Sequence, residues 1–137
     1  MQPEQKARLL RLLKEHIREH TRQVRCDVPL ARYTSFRIGG PADVFVEPDS
    51  LDELQAVLSV VRTEQLALFI LGGGTNLLIS DHGVRGVVVK LGGGFNYTAW
   101  EESGESEESW ESEGSKAFAQ VRRVRVGAGH SLGRFVR

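Results

Sequence analysis

One stretch constrains this chain more than any other: Leu66-Ala67-Leu68-Phe69-Ile70-Leu71-Gly72-Gly73-Gly74-Thr75-Asn76-Leu77-Leu78-Ile79-Ser80. It opens on a continuous apolar run bounded by glycines, the length of a strand buried on both faces. Three glycines follow. Without a Cβ they can take positive φ, so the backbone can curl and turn successive N–H groups inward. Such a nest attracts phosphate oxygens, with Thr75 and Asn76 adding side-chain hydrogen bonds at its rim. Beyond it, Ser80-Asp81-His82-Gly83 reads as a turn and Val87-Val88-Val89 as another strand, so no helix begins here. Two common phosphate loops are thereby excluded. A dinucleotide fingerprint would need glycine at Leu77 and a helix to follow, and a P-loop would need Gly-Lys-Ser/Thr. A tight strand connection remains the plain alternative.

The flanking pattern bears on that choice. Val44-Phe45-Val46 reads as a short strand stopped at Pro48. Ser50 and Glu53 form a capping box, opening a helix over about 51–64 that buries Leu54, Val57, Leu58 and Val61. Leu66–Leu71 is the next strand. Strand, helix, strand predicts a βαβ unit with parallel strands and a right-handed crossover. The glycine nest then lies past the C-terminal end of a parallel strand, where open α/β sheets place their ligands.

Upstream, residues 4–24 carry Leu9, Leu13, Ile17 and Val24 at helical spacing, predicting an amphipathic docking helix. His16-Ile17-Arg18-Glu19-His20 inside it matches an inverted zinc-peptidase pattern. The histidines continue the leucine stripe and have no evident third ligand, so no metal site is expected. Cys26–Tyr33 reads as an irregular lead-in, and Gly39-Gly40-Pro41 as a turn. Downstream, Gly92-Gly93-Gly94 reads as a hinge into a Glu/Ser/Gly tract, 95–117, too poor in apolar residues to order itself. Val121–Val126 alternates as a half-exposed strand. It ends in Gly127-Ala128-Gly129-His130, after which a helix starts as the chain stops in mid-element.

Charge matters because it is uneven. The 137 residues balance to zero, but residues 101–113 hold seven glutamates and no basic residue. Elsewhere 18 Lys and Arg face 11 Asp and Glu, a surplus suited to a phosphate-bearing ligand. That sign is also compatible with weak nucleic-acid binding. No apolar run is long enough to span a membrane, and no signal-peptide core follows Met1. The lone Cys26 can form no internal disulfide, reads as an inert thiol and fits a reducing cytoplasm.

Three motifs in order then carry a resemblance: Tyr33-Thr34-Ser35-Phe36-Arg37-Ile38-Gly39-Gly40-Pro41-Ala42-Asp43, Leu71-Gly72-Gly73-Gly74-Thr75-Asn76-Leu77-Leu78, and Val126-Gly127-Ala128-Gly129. From about Val28 onward the chain resembles the opening of the UDP-N-acetylenolpyruvoylglucosamine reductase (MurB) family. The resemblance implies an α/β (α+β) fold, the first FAD-binding subdomain of the vanillyl-alcohol-oxidase (PCMH) type. FAD would lie with its pyrophosphate on Gly72, Gly73, Gly74, Thr75, Asn76 and Leu77. It implies a cytoplasmic enzyme of peptidoglycan synthesis in which NADPH reduces the flavin and a UDP-sugar receives the hydride. The family's catalytic residues and substrate domain lie beyond Arg137, so no catalytic residue is assigned. Arg37 is expected to serve structural pairing. The organisation expected is a helix and lead-in over 1–27 and an FAD-binding subdomain over 28–137, interrupted by the insertion 95–117. FAD and the UDP-sugar are the partners expected of a monomer, with neither nucleic acid nor membrane. Two alternatives stand: an FAD oxidase of the same fold with another substrate, and a non-catalytic adaptor binding macromolecules.

Overall fold

The computed structural model describes residues 1–17, 24–101 and 123–131. Helix α1 spans Pro3–His16, with Gln2 and Gln5 forming a reciprocal cap around Pro3 at the first helical position. Strands β1 (Val24–Pro29), β2 (Pro41–Val46), β3 (Leu68–Leu71) and β4 (Val84–Lys90) form one sheet in the order β1-β2-β4-β3. Helix α2, Leu51–Thr63, connects β2 to β3, and Ser50 Oγ accepts the Glu53 N–H at its start, as the capping box predicts. A short ribbon pairs β5 (Thr98–Glu101) antiparallel with β6 (Arg123–Val126).

β2, β3 and β4 run in one direction, while β1 is antiparallel to β2. The mixed α/β architecture of the first FAD-binding subdomain is therefore present. The strands joined by α2 are not neighbours, however, because β4 inserts between them. β2 and β4 are buried on both faces and read as the near-continuous Val and Phe runs expected of inner parallel strands. On one face Leu9 and Leu13 of α1 and Val57 and Val61 of α2 pack on Val44, Val46, Val87 and Val89. On the other, Leu30, Ile79, Phe45, Leu71 and Val88 form a second cluster.

Five expectations need correction. The Leu66–Leu71 run is not buried on both faces, because β3 is an edge strand and Ile70 is 64% exposed. Leu58 likewise stays open, as α2 seats only its Val57–Val61 side. The lead-in at Cys26 is strand β1. Val24, counted on the helical stripe, belongs to that strand, whose Val24 and Val28 are buried in the clusters on opposite faces of the sheet and whose Pro29 closes its end where no ladder N–H is needed. The acidic insertion does not begin at Phe95, since residues 93–95 form a single turn of tight helix and Thr98–Glu101 is β5. The remainder of the tract, 102–117, lies outside the described residues, as do 18–23 with His20, 118–122 with the start of the expected Val121–Val126 strand, and 132–137. Among the described residues no three metal-ligating side chains cluster.

One buried charge stitches these layers. Asp43 lies at a bulge where it alone opposes Arg85 and Gly86, between the pairs Ala42–Val84 and Val44–Val87. Gly86 takes φ +111°, so glycine suits this bend. Its N–H donates to Asp43 Oδ2 at 3.2 Å, and the Arg85 guanidinium reaches Oδ1 at 2.8 Å. Lys6 of α1 lies 3.1 Å from the same carboxylate and also pairs with Asp27. Burial pushes the Asp43 carboxyl up, but Lys6, the Gly86 N–H and the Met1 ammonium outweigh it and hold the group below the usual carboxylate range. A depressed folded value means that the stabilisation is complete above the unfolded carboxylate pKa and vanishes as pH falls through the folded one. Stability should therefore begin to fall below about pH 4. Asp43→Asn should cost about 2 kcal/mol at neutral pH, less than for a wholly buried pair because Arg85 is exposed, and should flatten the acid limb. Thermal melts followed by circular dichroism across pH would test both.

Candidate functional site

The glycine triplet begins where β3 ends. From there the chain must return to start the parallel strand β4, and it does so without a helix. It crosses the sheet face opposite α1 and α2, where Ile79 is buried and Leu77 half-buried in the second cluster. The crossing is clasped at two points. The Ser35 N–H donates to Gly74 O at 2.9 Å, and further along the Gly40 N–H donates to Ser80 O at 2.9 Å.

The three glycines are not equivalent. Gly74 is buried with φ +66°, and a Cβ there would stand 1.8 Å from the Tyr33 carbonyl oxygen. Its glycine is demanded by the fold itself. A Cβ on Gly72 would meet nothing within 4 Å, and one on Gly73 only the Thr75 methyl at 3.9 Å. Those two are bare for no reason internal to the described chain. Gly72, Gly73, Thr75 and Asn76 are exposed. Among the described residues, no acceptor takes a hydrogen bond from the N–H groups of Gly72 through Asn76. The loop thus offers open amides beside a left-handed turn, the chemistry of an anion nest. A diphosphate fits it: the backbone can be approached at Gly72 and Gly73, and the donors are unspent.

The same face carries charge. By alternation from Val88, Lys90 lies on it, and Lys90 pairs in register with Leu71, the residue before the nest. Glu47 bridges Lys90, at 3.7 Å, to Arg25. Arg25 stacks 5.0 Å from the Phe45 ring centroid and donates to Tyr33 Oη, while its buried Nε has no acceptor among the described residues. The Tyr33 ring lies 4.6 Å from that of Phe45, so η-turn residues Leu30–Tyr33 roof this side of the sheet.

Sequence reasoning recognised Tyr33–Asp43 as a motif but did not see that its first residues back the glycine loop. The steric need at Gly74 comes from a residue 41 positions earlier in the chain, which no local pattern reports. Arg37 departs from expectation. Among the described residues its guanidinium makes no ion pair or hydrogen bond, and its backbone takes φ +54°. The second triplet is no hinge: the Gly92 N–H donates to Pro48 O, and a Cβ on Gly94 would lie 1.7 Å from Asp49 O, so the backbones are packed too closely to swing. Gly127 and Gly129 similarly donate to Tyr97 O and Phe95 O, fastening the ribbon to that turn. Burial raises the Cys26 thiol above its ordinary pKa, with Asp27 adding to the rise, so it stays protonated at neutral pH.

The glycine contrast is directly testable. Gly74→Ala should destabilise the fold by about 3 kcal/mol or more, since both φ and the Tyr33 carbonyl oppose a Cβ. Gly72→Ala should fall within about 0.5 kcal/mol of wild type. Urea unfolding of the two variants would separate them.

Comparison with known proteins agrees with this picture. A family described as "FAD binding domain" matches residues 42–137. A UDP-N-acetylenolpyruvoylglucosamine reductase of Caldanaerobacter subterraneus subsp. tengcongensis is 59% identical over 63 residues, 46% of this chain and 21% of that protein. The corresponding reductase 1 of Bacillus anthracis is 35% identical over 121 residues, 88% of this chain and 34% of that protein. The Bacillus subtilis reductase is 43% identical over 75 residues, covering 55% and 25%. The chain thus spans a fifth to a third of the length of these curated relatives. Its matched domain, sheet and glycine loop lead to one conclusion: the chain belongs to the FAD binding domain family.

Proposed function

We propose that this chain is the FAD-binding part of a UDP-N-acetylenolpyruvoylglucosamine reductase, with the FAD diphosphate seated on Gly72, Gly73, Gly74, Thr75, Asn76 and Leu77. The observation that carries this reading is the pair of sterically unconstrained glycines with open amides, Gly72 and Gly73, at the end of a parallel strand. Backbone N–H groups in such a turn give a diphosphate several donors at once. Thr75 and Asn76, exposed at the rim, can add side-chain donors. Leu77 turns into the core and anchors the loop on the sheet.

When bound, FAD supplies the transfer of a hydride from NADPH to the enolpyruvyl double bond of the UDP-sugar. The residues described here bind and orient the cofactor. The groups that would touch substrate belong to the part of the relatives that this chain does not span. A cytoplasmic, monomeric enzyme of peptidoglycan synthesis, binding neither nucleic acid nor membrane, follows from the same reading. Among the described residues no helix is long and apolar enough to cross a membrane.

The test is direct. In the full-length protein, Gly73→Val should abolish flavin binding, measured by the bound-flavin absorbance after gel filtration, while circular dichroism remains that of a folded protein. A folded variant that keeps flavin at wild-type affinity would refute the site. Deletion of Glu101–Glu113 should leave flavin affinity within about twofold, because Glu101 lies at the end of the β5–β6 ribbon opposite the Phe95–Tyr97 turn. A titration giving a large loss would show that the tract contributes to the cofactor envelope.

A further inference from the structure

The nest has no formal charge of its own, whereas a diphosphate is a dianion. The loop pressed against it does carry a charge. Tyr33 and Ser35 contact Gly74 through backbone atoms, and the chain then runs through Phe36, Arg37 and Ile38, all exposed. Phe36 and Ile38 are 55% and 50% exposed, so nothing among the described residues covers this loop.

Arg37 occupies the left-handed region at φ +54°, a conformation that L side chains seldom hold without an opposing constraint. The constraint is visible. The Arg37 N–H donates to Thr34 O at 3.1 Å, and Thr34 Oγ1 donates to Ile38 O at 2.9 Å, closing the loop on itself with Thr34 buried beneath. A position held left-handed would favour glycine for folding alone. It carries instead an arginine whose guanidinium makes no ion pair or hydrogen bond among the described residues. A left-handed φ at a non-glycine residue, an exposed guanidinium with no partner among the described residues, and a backbone bond from Ser35, two residues away, to the nest are three separate observations that converge on the same ligand.

We infer that Arg37 is a cofactor-binding residue: its guanidinium supplies the charge that the Gly72–Asn76 amides lack, pairing with the FAD diphosphate. The inference rests on the FAD reading above and adds to it a specific side chain outside the glycine loop. Arginine suits the task because its planar fork can meet two phosphate oxygens at once. The turn that carries it is tied to the nest by the Ser35–Gly74 backbone bond two residues away.

The decisive variant is Arg37→Gly, which separates fold from function. In the full-length apoprotein it should raise the melting temperature or leave it unchanged, because glycine relieves the positive φ. The Kd for FAD, measured by isothermal titration calorimetry, should rise roughly tenfold to a hundredfold, the loss of a charged hydrogen-bonded contact. Arg37→Gln, which keeps a side chain but no charge, should weaken FAD binding and also reduce its salt dependence. A purely structural role would lower the melting temperature in Arg37→Gly and leave the salt dependence of Arg37→Gln intact. Wild-type FAD affinity and salt dependence in both variants would overturn the assignment of Arg37. Failure of the wild-type protein itself to bind FAD would instead overturn the flavin reading.

Discussion

A single backbone contact, the Ser35 N–H donating to the Gly74 carbonyl, holds together the two loops on which the proposed site depends. Its origin is topological. Two adjacent parallel strands, β3 and β4, need a connection that travels the length of the sheet, and crossovers are commonly helical because a helix satisfies its own backbone while doing so. Here residues 72–83 make the journey without one. An irregular segment on an apolar face needs partners for its polar groups. The Tyr33–Gly40 segment supplies them at Gly74 and Ser80, while Ile79 fills the surface between. The arrangement leaves the other side of the bend, at Gly72 and Gly73, turned outward with its donors unspent.

The opposite face is built on a different principle. There α1 and α2 bury a contiguous valine and leucine surface, and that burial supplies the stabilisation. Docking of α1 is then given its position by charge. Lys6 reaches both Asp27 on β1 and Asp43 on β2, and Asp43 in turn caps the Arg85–Gly86 bulge of β4. A carboxylate so nearly excluded from water is tolerated because several donors surround it. The aspartate ending the Gly-Gly-Pro-Ala-Asp run therefore serves the sheet and the helix layer. Arg37, two residues before that run, is exposed and forms no ion pair among the described residues.

β3 forms an edge of the four-stranded sheet, and β5 and β6 form a separate two-stranded ribbon. Ile70, Leu68 and Trp100 are exposed. A two-stranded ribbon has little stability alone, and it is secured here by the Gly127 and Gly129 amides donating to the Phe95–Tyr97 turn.

Local chemistry made much of this legible in the sequence. The Ser50–Glu53 cap, the α2 periodicity and the Val44–Val46 and Val87–Val89 strands all depend on residues within a few positions of one another. Short-range sterics and hydrogen bonding dictate them wherever the chain goes. Misreadings arose where a partner far along the chain decided the outcome. Val24 fits a helical stripe and a strand equally until β2 offers it a ladder. The Leu66–Leu71 run reads as doubly buried because its sequence cannot report that it lies at an edge. Only the tertiary structure decided that β4 would lie between β2 and β3, that Gly74 alone among the three glycines is required by packing, and that Arg37 would take a left-handed φ in the loop whose Ser35 is bonded to Gly74. Each is set by the meeting of segments tens of residues apart, and that meeting has no signature in local spacing.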